Sequence, residues 1–337
     1  MSRAYLAFTD TGLALARQLA AAVPGTVTRC GQGGQTLAQW TAEQFARQEA
    51  LIFVGAVGIA VRAIAPHCRS KATDPAVVVV DECGQFAVPI LSGHLGGAND
   101  LARALAARCG AVAVITTATD SHHLFAVDSW ARCQGLRVLE PHRIKAVSSR
   151  LLAGQQVQFA SQFPVSGPLP AGVAPAQDPA QADFALTLCP AGEALHLVPP
   201  VGVLGIGCRR GTSAQALEAA FAAFCARQSL APACITAAAS IDLKQQEAGL
   251  LAFCRAHGWP VEFYSAGALQ KAPGSFTPSA FVKTVTGVDN VCERAAVLCA
   301  KGPLYISKQA GDGVTFALAL RPLALNWRWQ EDGPYGI

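Results

Sequence analysis

Short apolar runs alternate with segments of helical period along the first 130 residues. The runs at 4–9, 51–54, 76–80, 85–90 and 111–116 have strand length, and the segments at 12–22, 39–48, 59–65 and 99–108 have helical period. In the last of these, Leu101, Ala104 and Leu105 fall on one face. The alternation predicts an N-terminal α/β domain over 1–130 with glycine-rich loops. Only residues 81–84 separate the third run from the fourth, too few for a parallel crossover, so these two predict a hairpin.

The pattern weakens over 131–200. A helix at 143–152 and a strand at 156–160 precede FPVSGPLPAGVAPAQDPAQAD, a stretch without periodicity that reads as a Pro/Ala-rich linker or exposed loop. Periodicity returns at 201. A strand at 201–206 runs into a glycine turn and a helix, for which Thr212 with Gln215 matches a capping box. Leu217, Ala220, Phe221 and Phe224 form that helix's apolar stripe. A second helix begins near Asp242, which can cap it, and is expected to bury Leu243, Leu250, Leu251 and Cys254. A helix at 289–300 and strands at 304–307 and 315–320 complete a C-terminal domain over 201–322. The tail, 323–337, carries Trp327, Trp329 and Tyr335 and has no predicted place. The fold class is therefore two α/β domains with mixed or parallel sheets, joined by a small variable middle segment.

Composition supports buried sheets: 52% of the 337 residues are hydrophobic and 14% charged, although alanine supplies much of the apolar count. No apolar run approaches the roughly 18 to 20 residues that span a bilayer. The first 25 residues resemble a signal peptide superficially, but Asp10 and Arg17 interrupt them, and a strand followed by a helix accounts for them better. None of the 12 cysteines forms a Cys-x-x-Cys pair, and Cys225, Cys254 and Cys299 sit inside apolar segments. They read as small hydrophobes in a reducing compartment, which predicts a cytoplasmic protein. The seven histidines show no metal-ligand spacing, so no metal site is expected. The net charge of +4 is too small to indicate nucleic acid. Residues 201–321 carry 11 Lys+Arg against 7 Asp+Glu and so hold the whole excess, which suits a small polyanion.

Three glycine turns are candidates for chemistry. In VGAVGIAVR, Gly55 and Gly58 would let a backbone approach a ligand, and the helix that follows would offer free N–H groups to an anion, with Arg62 nearby. A plain tight turn explains the same residues. In SGHLGGAND, Ser92, Gly96 and Gly97 surround His94, and Asn99 is a candidate helix cap. His94 is the residue here that exchanges protons near neutral pH, unless it only braces the loop. Lys71, Asp74, Asp81 and Glu82 lie beside neighbouring strand ends, where solvated loop charge is the ordinary reading. In GIGCRRG the spacing departs from the dinucleotide fingerprint, and Gly207, Arg209 and Arg210 suggest a carboxylate or phosphate cradle. Lys244 and Glu247 can pair on one helix face, and Glu293 has a similar surface reading. No Gly-x-Ser-x-Gly elbow is present.

In their order, these segments resemble the cobalt-precorrin-5A hydrolase family of the anaerobic cobalamin pathway. The likeness over 51–128 rests on VGAVGIAVRAIAPH, KATDPAVVVVDE and LSGHLGGAND. Over 202–320 it rests on GIGCRRGT, SIDLKQQE, GVDNVCERAAVL and Lys308. The C-terminal part is also similar to small stand-alone proteins of the aerobic cobalamin route. The resemblance implies a hydrolase acting on a flat cobalt-bearing tetrapyrrole with many peripheral carboxylates, whose lactone is opened with release of acetaldehyde. It implies His94 as the base, the Gly96 and Gly97 amides as oxyanion donors, and Asp81 or Glu293 as alternative bases. Arg62, Lys71, Arg209, Arg210, Lys244 and Lys308 would hold the carboxylates. Gly55, Gly58, Asp74, Ser92, Asn99, Gly207, Thr212 and Glu247 would complete one site in a cleft between the domains. Cobalt would enter within the substrate, with no cofactor of the protein's own and no nucleic-acid or membrane partner. A homodimer, or transient contact with other corrin-pathway enzymes, stays open. So do a nucleotide-dependent oxidoreductase and a non-catalytic tetrapyrrole carrier.

Overall fold

The computed structural model describes residues 2–70 and 73–329; Lys71 lies outside them. The N-terminal strands are β1 (Arg3–Ala7), β2 (Thr26–Arg29), β3 (Ala50–Val54), β4 (Ala76–Val80), β5 (Phe86–Leu91) and β6 (Val112–Ala113). The helices between them are α1 (Asp10–Ala22), α2 (Leu37–Arg47), α3 (Val57–Ile64) and α4 (Ala98–Cys109). The sheet order is β2-β1-β3-β4-β5-β6, and only the β4–β5 pair is antiparallel. Strands β3 and β4 read ALIFV and AVVVV and are buried throughout, because separate apolar cores cover both faces of the sheet.

The predicted hairpin is present, and it decides what Asp81 does. Its carboxylate accepts from the backbone N–H groups of Cys83 (3.1 Å), Gln85 (2.7 Å) and Phe86 (2.5 Å), which fixes the turn. Asp81 is thus a turn brace and does not present a free base.

The helix and strand expected at 143–152 and 156–160 are present, but the stretch read as a linker belongs to a folded middle unit. Helices α5 (Ala118–Ser121), α6 (Val127–Cys133) and α7 (Ile144–Leu152) accompany strands β7 (Arg137–Val138), β8 (Val157–Ser161), β9 (Val165–Ser166), β10 (Val173–Pro175), β11 (Phe184–Leu186) and β12 (Leu195–Val198). Five of these strands form a sheet of order β10-β8-β11-β12-β7 over a core containing Phe125, Trp130, Phe159 and Phe184. The boundary expected at 130 falls inside α6. The chain later returns to this unit: β18 (Leu325–Asn326) pairs with β9, and Trp327 stacks on Trp130 at 4.8 Å. Within 163–183 the strands β9 (VS) and β10 (VAP) are two and three residues long and leave no period to detect, which is why that stretch reads as a linker.

The C-terminal unit comprises β13 (Gly202–Cys208), α8 (Ala214–Gln228), β14 (Ile235–Ile241), α9 (Ala248–Ala256), β15 (Val261–Tyr264), α10 (Ala266–Gln270), α11 (Ala280–Thr286), α12 (Cys292–Ala300), β16 (Leu304–Gly311) and β17 (Val314–Leu320). Its mixed sheet has the order β15-β14-β13-β17-β16, with β17 antiparallel to both neighbours. Helices α8 and α9 cover one face and α12 the other. Gly205 is what lets α12 lie against β13, since a Cβ there would fall far inside the 3.0 Å that real Cβ atoms keep from the Cys292 carbonyl.

Three local expectations change here. Ser213, not Thr212, caps α8 by accepting from the Ala216 N–H, while the Thr212 hydroxyl donates to the Arg209 carbonyl. Asp242 opens only a short 3₁₀ turn, and α9 starts after Glu247. Leu243, expected in the core, is 65% exposed. All 12 cysteines are thiols outside any disulfide, and burial pushes the Cys225, Cys234 and Cys254 thiols up to about 12. Among the described residues, no helix is long and apolar enough to cross a membrane.

Candidate functional site

Strands β13 and β14 run parallel and end side by side at Cys208 and Ile241. Ligands of α/β sheets bind beyond such carboxyl ends. Here the space beyond them is a cleft of about 1130 Å³, closed by the β16–β17 hairpin and by α11. It exceeds the range of about 300–1,000 Å³ usual for small-molecule sites, so it suits a large ligand.

The cleft gathers Gly207, Arg209, Arg210, Lys244, Glu247 and Lys308, which stand far apart in the chain. Gly207 keeps its floor open, because a Cβ there would collide with the Thr315 hydroxyl. The guanidinium groups of Arg209 and Arg210 are exposed, and Arg210 adds its charge to those that stabilise the Glu247 carboxylate. Lys244 Nζ pairs with Glu247 at 3.1 Å, and Glu247 also accepts the Gly211 N–H at 2.7 Å. The Gly211 hydrogen bond, then Lys244, holds the Glu247 carboxyl below its ordinary range. Glu247 therefore anchors the arginine turn to Lys244. Four cations face two carboxylates, Glu247 and Asp312, across the lining, leaving the cleft positive.

Glu293 does not belong to this surface. It is fully buried at the start of α12, and its carboxylate accepts the Thr277 N–H (2.8 Å) and hydroxyl (3.0 Å), the Asn290 amide (2.7 Å) and the Lys308 N–H (2.6 Å). With its acceptor positions filled, it is a tie between the 277–290 segment and β16 rather than a base.

The N-terminal candidates lie elsewhere, and none of them lines the cleft. Gly55 follows β3, Gly58 lies in the first turn of α3, and Arg62 donates to the Gly58 carbonyl at 3.3 Å. Asp74 accepts the N–H groups of Arg69 and Ser70, and Ser92 donates to the Asp74 carbonyl at 3.0 Å. Both residues brace loops. Gly97, in a left-handed conformation, is the N-cap of α4, and its N–H donates to the His94 carbonyl. It is therefore not available as an oxyanion donor. Gly96 is packed against Ser92, where a Cβ would collide. Asn99 caps nothing; its buried amide donates to Thr117 and Asp120.

His94 is held from both sides. Its Nε2 meets Asp120 at 2.5 Å and its Nδ1 faces Asp128 at 3.4 Å. Burial pulls the imidazole down, but hydrogen bonds to the two carboxylates outweigh it and raise the pKa to about 9. Burial likewise pushes the Asp120 carboxyl up, and its bonds from His94, Thr117 and Arg103 prevail to hold it well below the ordinary carboxylate range. Arg103 bridges Asp100 and Asp120, while Arg132 bonds Asp100 and the His94 carbonyl. The result is a half-buried ionic web joining the glycine loop to α5 and α6. Between two carboxylates the His94 ring favours its protonated form and cross-links this web. Asp120, Asp128, Arg103 and Arg132 escaped sequence reasoning; Asp120 and Asp128 are single acids in apolar, aperiodic sequence, and only folding reveals their partner.

Comparison with known proteins agrees with this division. The family models described as Cobalamin synthesis G N-terminal and Cobalamin synthesis G C-terminus match residues 39–120 and 202–319. The second match contains the whole cleft lining. A cobalt-precorrin-5A hydrolase of Salmonella typhimurium is 35% identical over 344 residues, covering 95% of this chain and 97% of the relative. One of Priestia megaterium is 31% identical, covering 82% of this chain and 80% of the relative. Protein CobE of a Sinorhizobium species is 33% identical over 120 residues, covering 35% of this chain and 78% of the relative. The resemblance seen in the motifs is borne out: the chain belongs to the cobalt-precorrin-5A hydrolase family, a hydrolase family of cobalamin synthesis.

Proposed function

We propose that the protein hydrolyses the lactone of cobalt-precorrin-5A and releases acetaldehyde, giving cobalt-precorrin-5B. The observation that carries this reading is the gathering of Arg209, Arg210, Lys244 and Lys308 around one large cleft. A tetrapyrrole rimmed with acetates and propionates needs several cations over a broad surface, and guanidinium groups bind carboxylates bidentately. The macrocycle sits in the C-terminal cleft rather than between domains. Its cobalt belongs to the substrate.

In the reaction, water adds to the lactone carbonyl and the acyl C–O bond breaks, freeing the acetate arm. The methyl-bearing carbon, now a carbinol, gives its hydroxyl proton to solvent and leaves as acetaldehyde, and the electron pair of its carbon–carbon bond stays on the macrocycle. With His94, Asp81 and Glu293 engaged elsewhere, Asp312 is the cleft carboxylate whose oxygens have no partner among the described residues. It is the remaining cleft candidate for accepting the proton from water. The test is single-turnover acetaldehyde release from cobalt-precorrin-5A, read by coupled oxidation of NADH, with macrocycle binding followed by visible absorption. One acetaldehyde per bound macrocycle is expected. Tight binding without acetaldehyde would instead make the protein a carrier of the intermediate.

A further inference from the structure

The two most exposed large apolar side chains among the described residues are Leu243, at 65%, and Val285, at 61%. Both line the cleft. They come from different elements: Leu243 from the 3₁₀ turn at Asp242–Lys244 beyond β14, and Val285 from α11. Charge shares the cleft with them, since Lys244 follows Leu243 in the chain and Lys308 belongs to the same lining. Exposed bulky hydrophobes in a monomeric chain mark a binding surface when they are grouped and rimmed by polar residues. A small polyanion such as phosphate would use the cations and gain nothing from these side chains. Their presence fits a ligand with a broad apolar face and charged edges.

We propose that Leu243 and Val285 are the specificity residues of the cleft, gripping the apolar face of the macrocycle while the cations hold its rim. This rests on the reading of the cleft as the tetrapyrrole site. The grip supplies selection that charge cannot. Any polycarboxylate satisfies Arg209 and Arg210, but only a flat apolar body removes Leu243 and Val285 from water.

The physical reason for their exposure supports this assignment. The helical pattern at 242–254 would bury Leu243, but α9 begins only at Ala248, so Leu243 rides on the preceding 3₁₀ turn and points away from the core. On the Val285 side, the Glu293 tie to Thr277 and Asn290 holds both ends of the segment that carries α11. The apolar wall is therefore positioned rather than left loose.

The test uses the full chain with Leu243→Ser, Val285→Ser and the double variant. Both positions are exposed, so the folded state should survive, and circular dichroism checks this. Two probes separate the contributions: cobyrinic acid, a cobalt corrinoid with carboxylates around its rim, and 1,2,3,4-butanetetracarboxylate, which has charge without an apolar face. Each single substitution should weaken cobyrinic acid binding about tenfold, which is about 1.4 kcal/mol. The double variant should lose about a hundredfold, and the tetracarboxylate should bind all variants within about twofold of the parent protein. If the parent binds cobyrinic acid and releases acetaldehyde from cobalt-precorrin-5A while the variants bind the corrinoid equally well, the specificity assignment is wrong and the tetrapyrrole reading stands. If the parent binds no corrinoid at all, both fail.

Discussion

Replacing His94 with asparagine tests the cross-link assignment. In the folded protein the imidazole pKa rises from 6.5 to about 9 between Asp120 and Asp128. At about 1.4 kcal/mol per pKa unit, the rise corresponds to about 3 kcal/mol of stability. Because the folded value is the higher one, this contribution is fully present below pH 6.5 and disappears as pH climbs through 9. Urea unfolding of the parent protein should therefore show a loss of about 3 kcal/mol between pH 6 and pH 10. His94→Asn should lack that share of the pH dependence and should be weaker by a similar amount at pH 7, with the two proteins converging at high pH. A proton-accepting role requires the neutral ring, which at pH 7 would be about 1% of the population. Acetaldehyde turnover in folded His94→Asn should accordingly stay within a few-fold of the parent. Equal pH dependence in the two proteins, or a turnover loss of about 10² or more with unchanged stability, would refute the cross-link and restore His94 as a base.

Gly205→Ala should abolish soluble expression or cost several kcal/mol, because the new methyl would collide with the Cys292 carbonyl; Gly267→Ala, which meets open space, should be neutral in the same thermal melt. Arg209→Gln and Arg210→Gln should each raise the KM for the tetrapyrrole and flatten its dependence on salt while leaving kcat nearly unchanged, as steady-state assays at two ionic strengths would show. Glu293→Leu should destabilise by about 3 kcal/mol or more in urea melts, since it strands the donors of Thr277, Asn290 and Lys308 in a buried position. Trp327→Ala should cost about 3–5 kcal/mol and loosen the middle unit first, visible as faster hydrogen exchange around Trp130.

Much of the molecule follows from local sequence. The fully apolar runs ALIFV and AVVVV determine central strands buried on both faces, and the four-residue gap after the second determines a hairpin. The Gly-Cys-Arg-Arg-Gly turn determines where two guanidinium groups meet a strand end. These are short-range matters of period, loop length and side-chain type. The middle unit was legible only in α7 and β8; β7, β9, β10 and β11 are too short to carry a period, and the aromatic core is completed by Trp327, 197 positions after Trp130. Partnership was not legible. His94 looks like a base until Asp120 and Asp128 close on it, and Glu293 looks like a surface acid until four donors surround it. Leu243 looks like core until the turn before α9 carries it into the cleft. A side chain's protonation, exposure and availability depend on neighbours brought from distant positions, so only the tertiary structure decided which of the candidate groups are braces and which line the cleft.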